Sequence, residues 1–234
     1  MASSIYAQDK LLIGIINNKH DTNFWYKLVL SESKEISLGQ LQLKNDNKVY
    51  YRIWLNMQII EIETCQECKP TCRVINYTNE LVPNGEPPTD RYFVKIDTIG
   101  IDTSRNIYEL ITSSGVFSLP SEDLITGWKQ GFDGVTYILE YSNKESYSIK
   151  TYWTPTAQGS LKEALGVQKF INEIESIVDL KDHWNRFTKI IPFQCYSLGA
   201  PLGCCKGLTK KQSKEYLYER NNYRQQRASK SKWK

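Results

Sequence analysis

Pro155 separates two kinds of periodicity, and that switch limits the possible folds more than any other feature of the chain. Before it, apolar residues recur at every second position. Tyr51, Ile53, Leu55, Met57 and Ile59 share one side of an extended run whose other side carries Arg52, Asn56 and Gln58. After it, Ala164, Val167, Phe170, Ile171, Ile174, Ile177 and Val178 recur at helical spacing, while Lys162, Lys169, Glu173 and Glu175 fall off the stripe. A half-apolar sheet and a striped helix each need a surface to cover, and each suits the other. The expected fold is therefore α+β. It comprises an antiparallel β-meander sheet, barrel-like if it closes on itself, a C-terminal amphipathic helix packed on the sheet, and a basic helical tail.

Short apolar or alternating runs predict strands over 11–16, 24–30, 39–44, 49–63, 92–98, 107–112 and 116–119. Asn17-Asn18-Lys19, Asn84-Gly85-Glu86-Pro87-Pro88 and Ser113-Ser114-Gly115 supply turns and loops between them. In the run 49–63 the apolar phase flips at Ile59-Ile60, as a β-bulge would cause. Glu61 and Glu63 then share a face, either as a solvated strand edge that discourages association, which the pattern favours, or as a functional carboxylate pair. Asp133-Gly134 opens a hairpin in which 135–141 and 147–153 flank a polar loop at 142–146. Ser160-Leu161-Lys162-Glu163 fits a capping box at the start of the long helix. The helix continues or restarts through 183–187 and ends before Pro192, after which 192–207 reads as loop.

Hydrophobic residues make up 40% of the 234 and charged residues 24%, a folded, soluble composition, and no apolar run approaches the roughly 18 residues a membrane span requires. Charge is unevenly spread. The formal total is +4, yet residues 206–234 hold ten Lys or Arg against Glu215 and Glu219, leaving the preceding body acidic. Three regions follow: an arm at 1–9, a single α+β domain at 10–205 and a basic tail at 206–234. In the tail, Lys210, Lys211, Lys214, Arg220, Arg224 and Arg227 surround Tyr216 and Tyr218. Such a segment suits an acidic protein or an anionic envelope surface. Nucleic acid is a further, weaker candidate, through phosphate contacts and base stacking. A frayed, solvated helix is the plain alternative.

Ser3-Ser4-Ile5-Tyr6-Ala7-Gln8-Asp9 resembles the end of a secretory signal without its apolar segment, so the expectation is an exported chain behind a Met1-Ala2 start. The cysteines agree with that compartment. Cys65, Cys68 and Cys72 form one cluster and Cys195, Cys204 and Cys205 another, an even number beside Pro and Gly as in cross-linked loops. Spacing does not choose among the pairings. A zinc site from Cys65, Cys68, Cys204 and Cys205 is the competing reading, disfavoured because adjacent cysteines chelate one tetrahedral ion poorly. Free thiols are the third. A thioredoxin-like centre is disfavoured because Cys65-Gln66-Glu67-Cys68 follows an extended run rather than opening a helix.

Catalytic patterns are sparse. His20 and His183 stand far apart and neither occupies a chelating spacing; no nucleophile elbow, P-loop or dinucleotide fingerprint occurs. Neither a metal nor another cofactor is expected. Cys195 with His183 is a conceivable nucleophile and base, but needs an unpaired sulfur. Glu122-Asp123 read as the acidic first turn of a short helix capped by Ser121, and Asp97 and Asp102 flank the Ile99-Gly100 turn.

Residues 133–180, with Asp133-Gly134-Val135-Thr136-Tyr137-Ile138-Leu139-Glu140-Tyr141, the Tyr152-Trp153-Thr154-Pro155 end of the hairpin and the helix from Ser160, resemble a module of uncharacterised exported bacterial proteins. The resemblance implies an envelope or secreted setting and a strand-hairpin-helix end to the domain, and supplies no catalytic residues; the expected location is the periplasm or cell envelope. The expected function is a non-enzymatic exported accessory or interaction protein, a subunit of a membrane-associated assembly. A carboxylate- or cysteine-based hydrolase and a nucleic-acid-binding protein are the alternatives.

Overall fold

In the computed structural model the described residues are 10–15, 23–82, 86, 89–199 and 202–231. The expectations for the arm 1–9, for Asn17-Asn18-Lys19 and His20, and for most of the 84–88 loop lie outside them.

The long run 49–63 is two strands rather than one bulged strand. β2 (Val49–Leu55) turns at Asn56-Met57 into β3 (Gln58–Thr64), with Leu55 opposite Gln58 and Ile53 opposite Ile60. A two-residue hairpin loop pairs odd positions with even ones, and this produces the flip of phase. β4 (Thr71–Leu81) has no counterpart among the expected strands; Asn76, Asn79 and Glu80 interrupt its apolar pattern. β5 (Tyr92–Thr98), β6 (Thr136–Ser142) and β7 (Ser146–Trp153) lie where the alternation puts them. β1 (Leu11–Ile13) joins β7 in parallel, so the sheet is mixed rather than wholly antiparallel. No hairpin forces its direction, since β1 and β7 are remote in sequence. Across the sheet the order is β1, β7, β6, β2, β3, β4, with β5 also on β4, and the whole curls into a half-barrel.

Two expected strands at the front are helical. α1 (Phe24–Glu35) replaces the strand at 24–30 and a 3₁₀ turn at Leu41–Leu43 replaces that at 39–44. Asn23 Oδ1 accepts from the amide of Trp25 at 2.8 Å, and Trp25, Val29, Ser33 and Ile36 step along one side at four-residue or near spacing. Aromatic β-formers at 24–26 conceal that step. α2 (Ile101–Ser114) likewise replaces the strand at 107–112, with Ser104, Ile107 and Ile111 inward and Gly115 ending it at φ +69°, a left-handed cap that glycine adopts without strain. A 3₁₀ turn at Val116–Ser118 takes the place of the strand at 116–119. α3 (Lys162–Val178) carries the expected stripe, but Leu161 occupies its N-cap and the Ser160 capping box does not form. Asp179, at φ 51°, ends α3 and caps α4 (Leu180–Thr188) by accepting from the amide of Asp182. Within 192–207, β8 (Cys195–Ser197) and β9 (Gly203–Cys205) make a small hairpin on β4. α5 (Lys210–Ser231) is the helical tail.

The sheet is covered on both faces. Ile53, Ile60, Ile62, Val74, Leu139 and Tyr152 meet α2 and α3, while Tyr50, Trp54, Ile59, Ile75 and Ile149 meet α1 and the 3₁₀ turn after it. Each aliphatic side chain in these layers contributes about 1.5–3 kcal/mol by leaving water.

Through the α1 face runs one polar row. Glu140 on β6, Arg52 on β2, Glu61 on β3 and Arg73 on β4 stand directly opposite one another in register, alternating in sign across four strands. Glu61 Oε2 accepts from Arg52 Nε at 2.9 Å and from its Nη2, while Oε1 accepts from Arg73 Nε at 2.8 Å. Arg52 Nη1 lies 3.5 Å from Glu140 Oε2, and Nη2 also donates to the Gly39 carbonyl at 2.9 Å. Trp54 Nε1 and the Tyr147 hydroxyl complete Glu140, at 2.5 and 2.9 Å. The side chains of Arg52 and Glu140 are each 1% exposed. Glu61 is thus not the solvated edge charge that the sequence pattern favours; β3 is interior, flanked by β2 and β4, and two guanidiniums compensate its carboxylate.

Desolvating these charges is tolerable only while every partner is present. Arg52→Met should therefore cost about 3–5 kcal/mol, because Glu140 loses its guanidinium in a dry site. Equilibrium urea unfolding reads this as a lower midpoint at unchanged slope.

Candidate functional site

The basic tail meets the rest of the chain along one face. Thr209 and Gln212 form the capping box that Ser160 and Glu163 do not: Thr209 Oγ1 accepts from the Gln212 amide at 3.3 Å and Gln212 Oε1 from the Thr209 amide at 3.0 Å. From there Tyr216, Arg220, Tyr223, Arg224 and Arg227 follow at spacings of three or four, one stripe of the helix. The Tyr216 hydroxyl donates to Glu80 Oε1 at the end of β4. Arg220 Nη2 reaches Glu86 Oε2 at 2.6 Å, joined there by Arg224 at 3.3 Å, and Arg227 Nη1 reaches Asp90 Oδ2 at 2.9 Å. The Arg91 guanidinium sits between the Phe193 and Tyr223 rings, 5.1 and 5.4 Å from their centres. Tyr216 and Arg220 are 6% and 3% exposed. Burial first, then the Glu80 hydrogen bond and charge, raise the Tyr216 hydroxyl to about 12.

The eight residues the sequence offers for a partner therefore divide. Tyr216, Arg220, Arg224 and Arg227 contact the body of the chain. Lys210, Lys211, Lys214 and Tyr218 are exposed, Tyr218 at 68%. The split follows side-chain chemistry: planar guanidinium forks suit buried carboxylate pairing, and strongly hydrated ammonium groups suit water. Lys210 and Lys211 lie in the first turn of α5, where the positive end of the helix dipole disfavours cations by about 0.3–1 kcal/mol each, and Lys214 follows just beyond it. Lys211 lies 3.9 Å from Glu215 one turn on, an exposed pair that offsets only part of this.

The cysteines form two local bridges. Cys65 pairs with Cys68 in the β3–β4 turn, and Cys195 pairs with Cys205 across the β8–β9 hairpin. Cys72 is a buried thiol and Cys204 a half-buried one. Burial, then the charge of Glu61, pushes the Cys72 thiol up to about 12. Among the described residues no group of three or more His, Cys, Asp or Glu could hold a metal ion, and Cys65, Cys68 and Cys205 of the four-cysteine alternative each sit in a bridge. The hairpin bends tightly back toward β2: Gly199 adopts φ +99°, and a Cβ there would fall 2.1 Å from Asn56 Oδ1.

The candidate reactive groups are engaged elsewhere. Cys195 spends its sulfur in the bridge, and His183 Nδ1 faces Asp97 Oδ2 at 2.9 Å, fastening α4 to β5. Burial would raise Asp97, but hydrogen bonds from Lys95 and His183 and their charges outweigh it and hold the carboxyl low. Asp102 pairs with Arg105 on the surface of α2. Glu122 is buried in a 3₁₀ turn, accepting from the Trp153 amide and from Thr151 Oγ1; burial, with the charge of Asp123, raises its carboxyl against those bonds. Ser121, expected to cap that turn with its side chain, instead bonds Thr151. Glu63 pairs with Lys48.

A cavity of about 420 Å³ opens over the Glu61 end of the charge row, lined by Gly39, Lys44, Arg52, Glu61, Glu63, Thr71 and Arg73, with Thr98 beside them. No sequence signal marks it, because its walls come from the 3₁₀ segment and four strands that only the register brings together. Among the described residues, no helix is long and apolar enough to cross a membrane. No protein-family model matches the chain and no curated protein matches it.

Two outcomes follow from this geometry. Tyr216→Phe should cost about 1–3 kcal/mol in chemical denaturation, because the buried Glu80 carboxylate loses a donor. Native iodoacetamide treatment should label Cys204, while Cys72 should react only after unfolding, as read by peptide mapping.

Proposed function

We propose that the chain is a non-enzymatic, exported accessory protein of the cell envelope that engages an anionic partner surface through the exposed lysines of α5. The observation that carries this reading is the segregation of charge on that helix, arginines inward on Glu86 and Asp90, lysines outward at an energetically disfavoured helix start. Local departures from stabilising placement are expected where a surface serves a partner. Two bridges support an oxidising compartment. The likeness of residues 133–180 to exported bacterial modules supports the same setting.

Docking fixes the orientation of the lysine face, so it is presented as a rigid surface and not as a flexible arm. Tyr218 stands beside Lys214 and Lys211 on the solvent side and adds an amphipathic ring of the kind enriched at wet interfaces. Glu61 is held between two guanidiniums as a structural anion.

Co-sedimentation with phosphatidylglycerol-containing vesicles tests the reading. Binding should weaken as salt rises, and Lys211→Gln with Lys214→Gln should reduce it about thirtyfold, at about 1 kcal/mol per lysine. Binding unaltered by the double substitution would remove the lysine face from consideration. Tighter, steeply salt-dependent capture of single-stranded DNA would transfer the function to nucleic acid.

A further inference from the structure

The cavity above the charge row lies apart from the lysine face, and its chemistry is unusual for an internal hollow. Small-molecule sites span about 300–1,000 Å³ and are mainly apolar. This one, at about 420 Å³, has Lys44, Arg52, Glu61, Glu63, Thr71 and Arg73 in its walls, and Cys72 is its sole apolar lining residue. The apolar wall comes mostly from the stems of these same polar side chains. A polar guest would find donors and acceptors already fixed in place.

The fixing is visible residue by residue. Arg52 and Glu61 form the floor, locked by their mutual pairing and by the Gly39 carbonyl. Arg73 gives Nε and Nη2 to Glu61 but remains 41% exposed, so part of a five-donor guanidinium is open to solvent. Lys44 holds its ammonium 5.0 Å from the centre of the Tyr50 ring. Asp46 accepts from the Tyr50 hydroxyl at 2.7 Å and also feels the charges of Lys44 and Lys48. Arg52 is shared by Glu61 and Glu140, and Lys48, outside the lining, takes Glu63 Oε1, so Lys44 and the exposed part of Arg73 are the lining cations that remain for a guest. A single carboxylate can be held by those two cations, whereas a dianion would bring its second charge toward Glu61 and Glu63. Around it, Thr71, Thr98 and the Glu63 carboxylate offer partners for hydroxyl groups.

We infer that this cavity binds a small polyhydroxylated monocarboxylate, of the sugar-acid class, with its carboxylate between Lys44 and Arg73 and its hydroxyls toward Thr71, Thr98 and Glu63. The site is independent of the α5 lysines.

Isothermal titration of the intact protein with D-glucuronate tests it, beside D-glucose as the neutral counterpart and glucose 6-phosphate as the dianion. Glucuronate should bind in the millimolar range or tighter and raise the melting temperature, glucose should not bind, and the phosphate should bind more weakly than glucuronate. Lys44→Gln, a half-buried position outside the charge row, should keep the fold by circular dichroism and lose about tenfold in affinity, as expected for a lost charge-assisted contact. Lys211→Gln should bind glucuronate like the parent. Absence of glucuronate binding, equal binding of glucose, preference for the phosphate, or full affinity in the Lys44 variant would each overturn the assignment.

Discussion

Four charges in a line, Glu140, Arg52, Glu61 and Arg73, set the register of the central sheet. Apolar contacts tolerate small shifts, but a strand that slips by one residue turns its whole set of side chains over. A slipped β2 would press Arg52 into the layer formed by α2 and α3, where Ile107, Ile171 and Ile174 offer it no partner. Such a row adds less net stability than an apolar one of equal volume, because removing ions from water is costly. What it supplies is discrimination between registers, and the β2–β3 hairpin, the β3–β4 pair and the cavity walls all inherit their alignment from it.

The same arrangement explains which parts of the fold were legible in the sequence. The change of period at Pro155 located β6, β7 and α3 because those segments have one clear rhythm and strong turn dipeptides. The front half obscures its rhythm. A sheet covered on both sides needs apolar residues at successive positions, so β2 and β3 ran together, and β4 mixes asparagines and a glutamate into its interior. α1 and α2 are rich in aromatic and β-branched residues whose local preference is extended; tertiary packing on the sheet overrides it. Glu61 was readable as a charge in a strand but not as a buried one, since its two arginines come from strands that sequence alone does not place beside it.

For the tail, composition announced the charge and not its division. Arginine and lysine count equally toward a net charge, and only the spacing of Tyr216, Arg220, Tyr223, Arg224 and Arg227 hinted that one side was spoken for. The acidic partners, Glu80, Glu86 and Asp90, lie in the segment that leaves β4 for β5. Disulfide pairing was similarly open from spacing and closed by the hairpins: each bridge joins residues the chain already brings together. Short loops of this kind restrain the unfolded chain only modestly, so the bridges secure turns more than they secure the global fold.

Glu80 and the tyrosine that satisfies it stand 136 positions apart. A chain that emerges from its N-terminus completes β4 long before α5 exists, and until then a carboxylate at the end of that strand has no hydroxyl to receive. Closure of this corner is thus deferred until α5 has been made: a chain that stops before it leaves the end of β4 open to water, and the helix seals it.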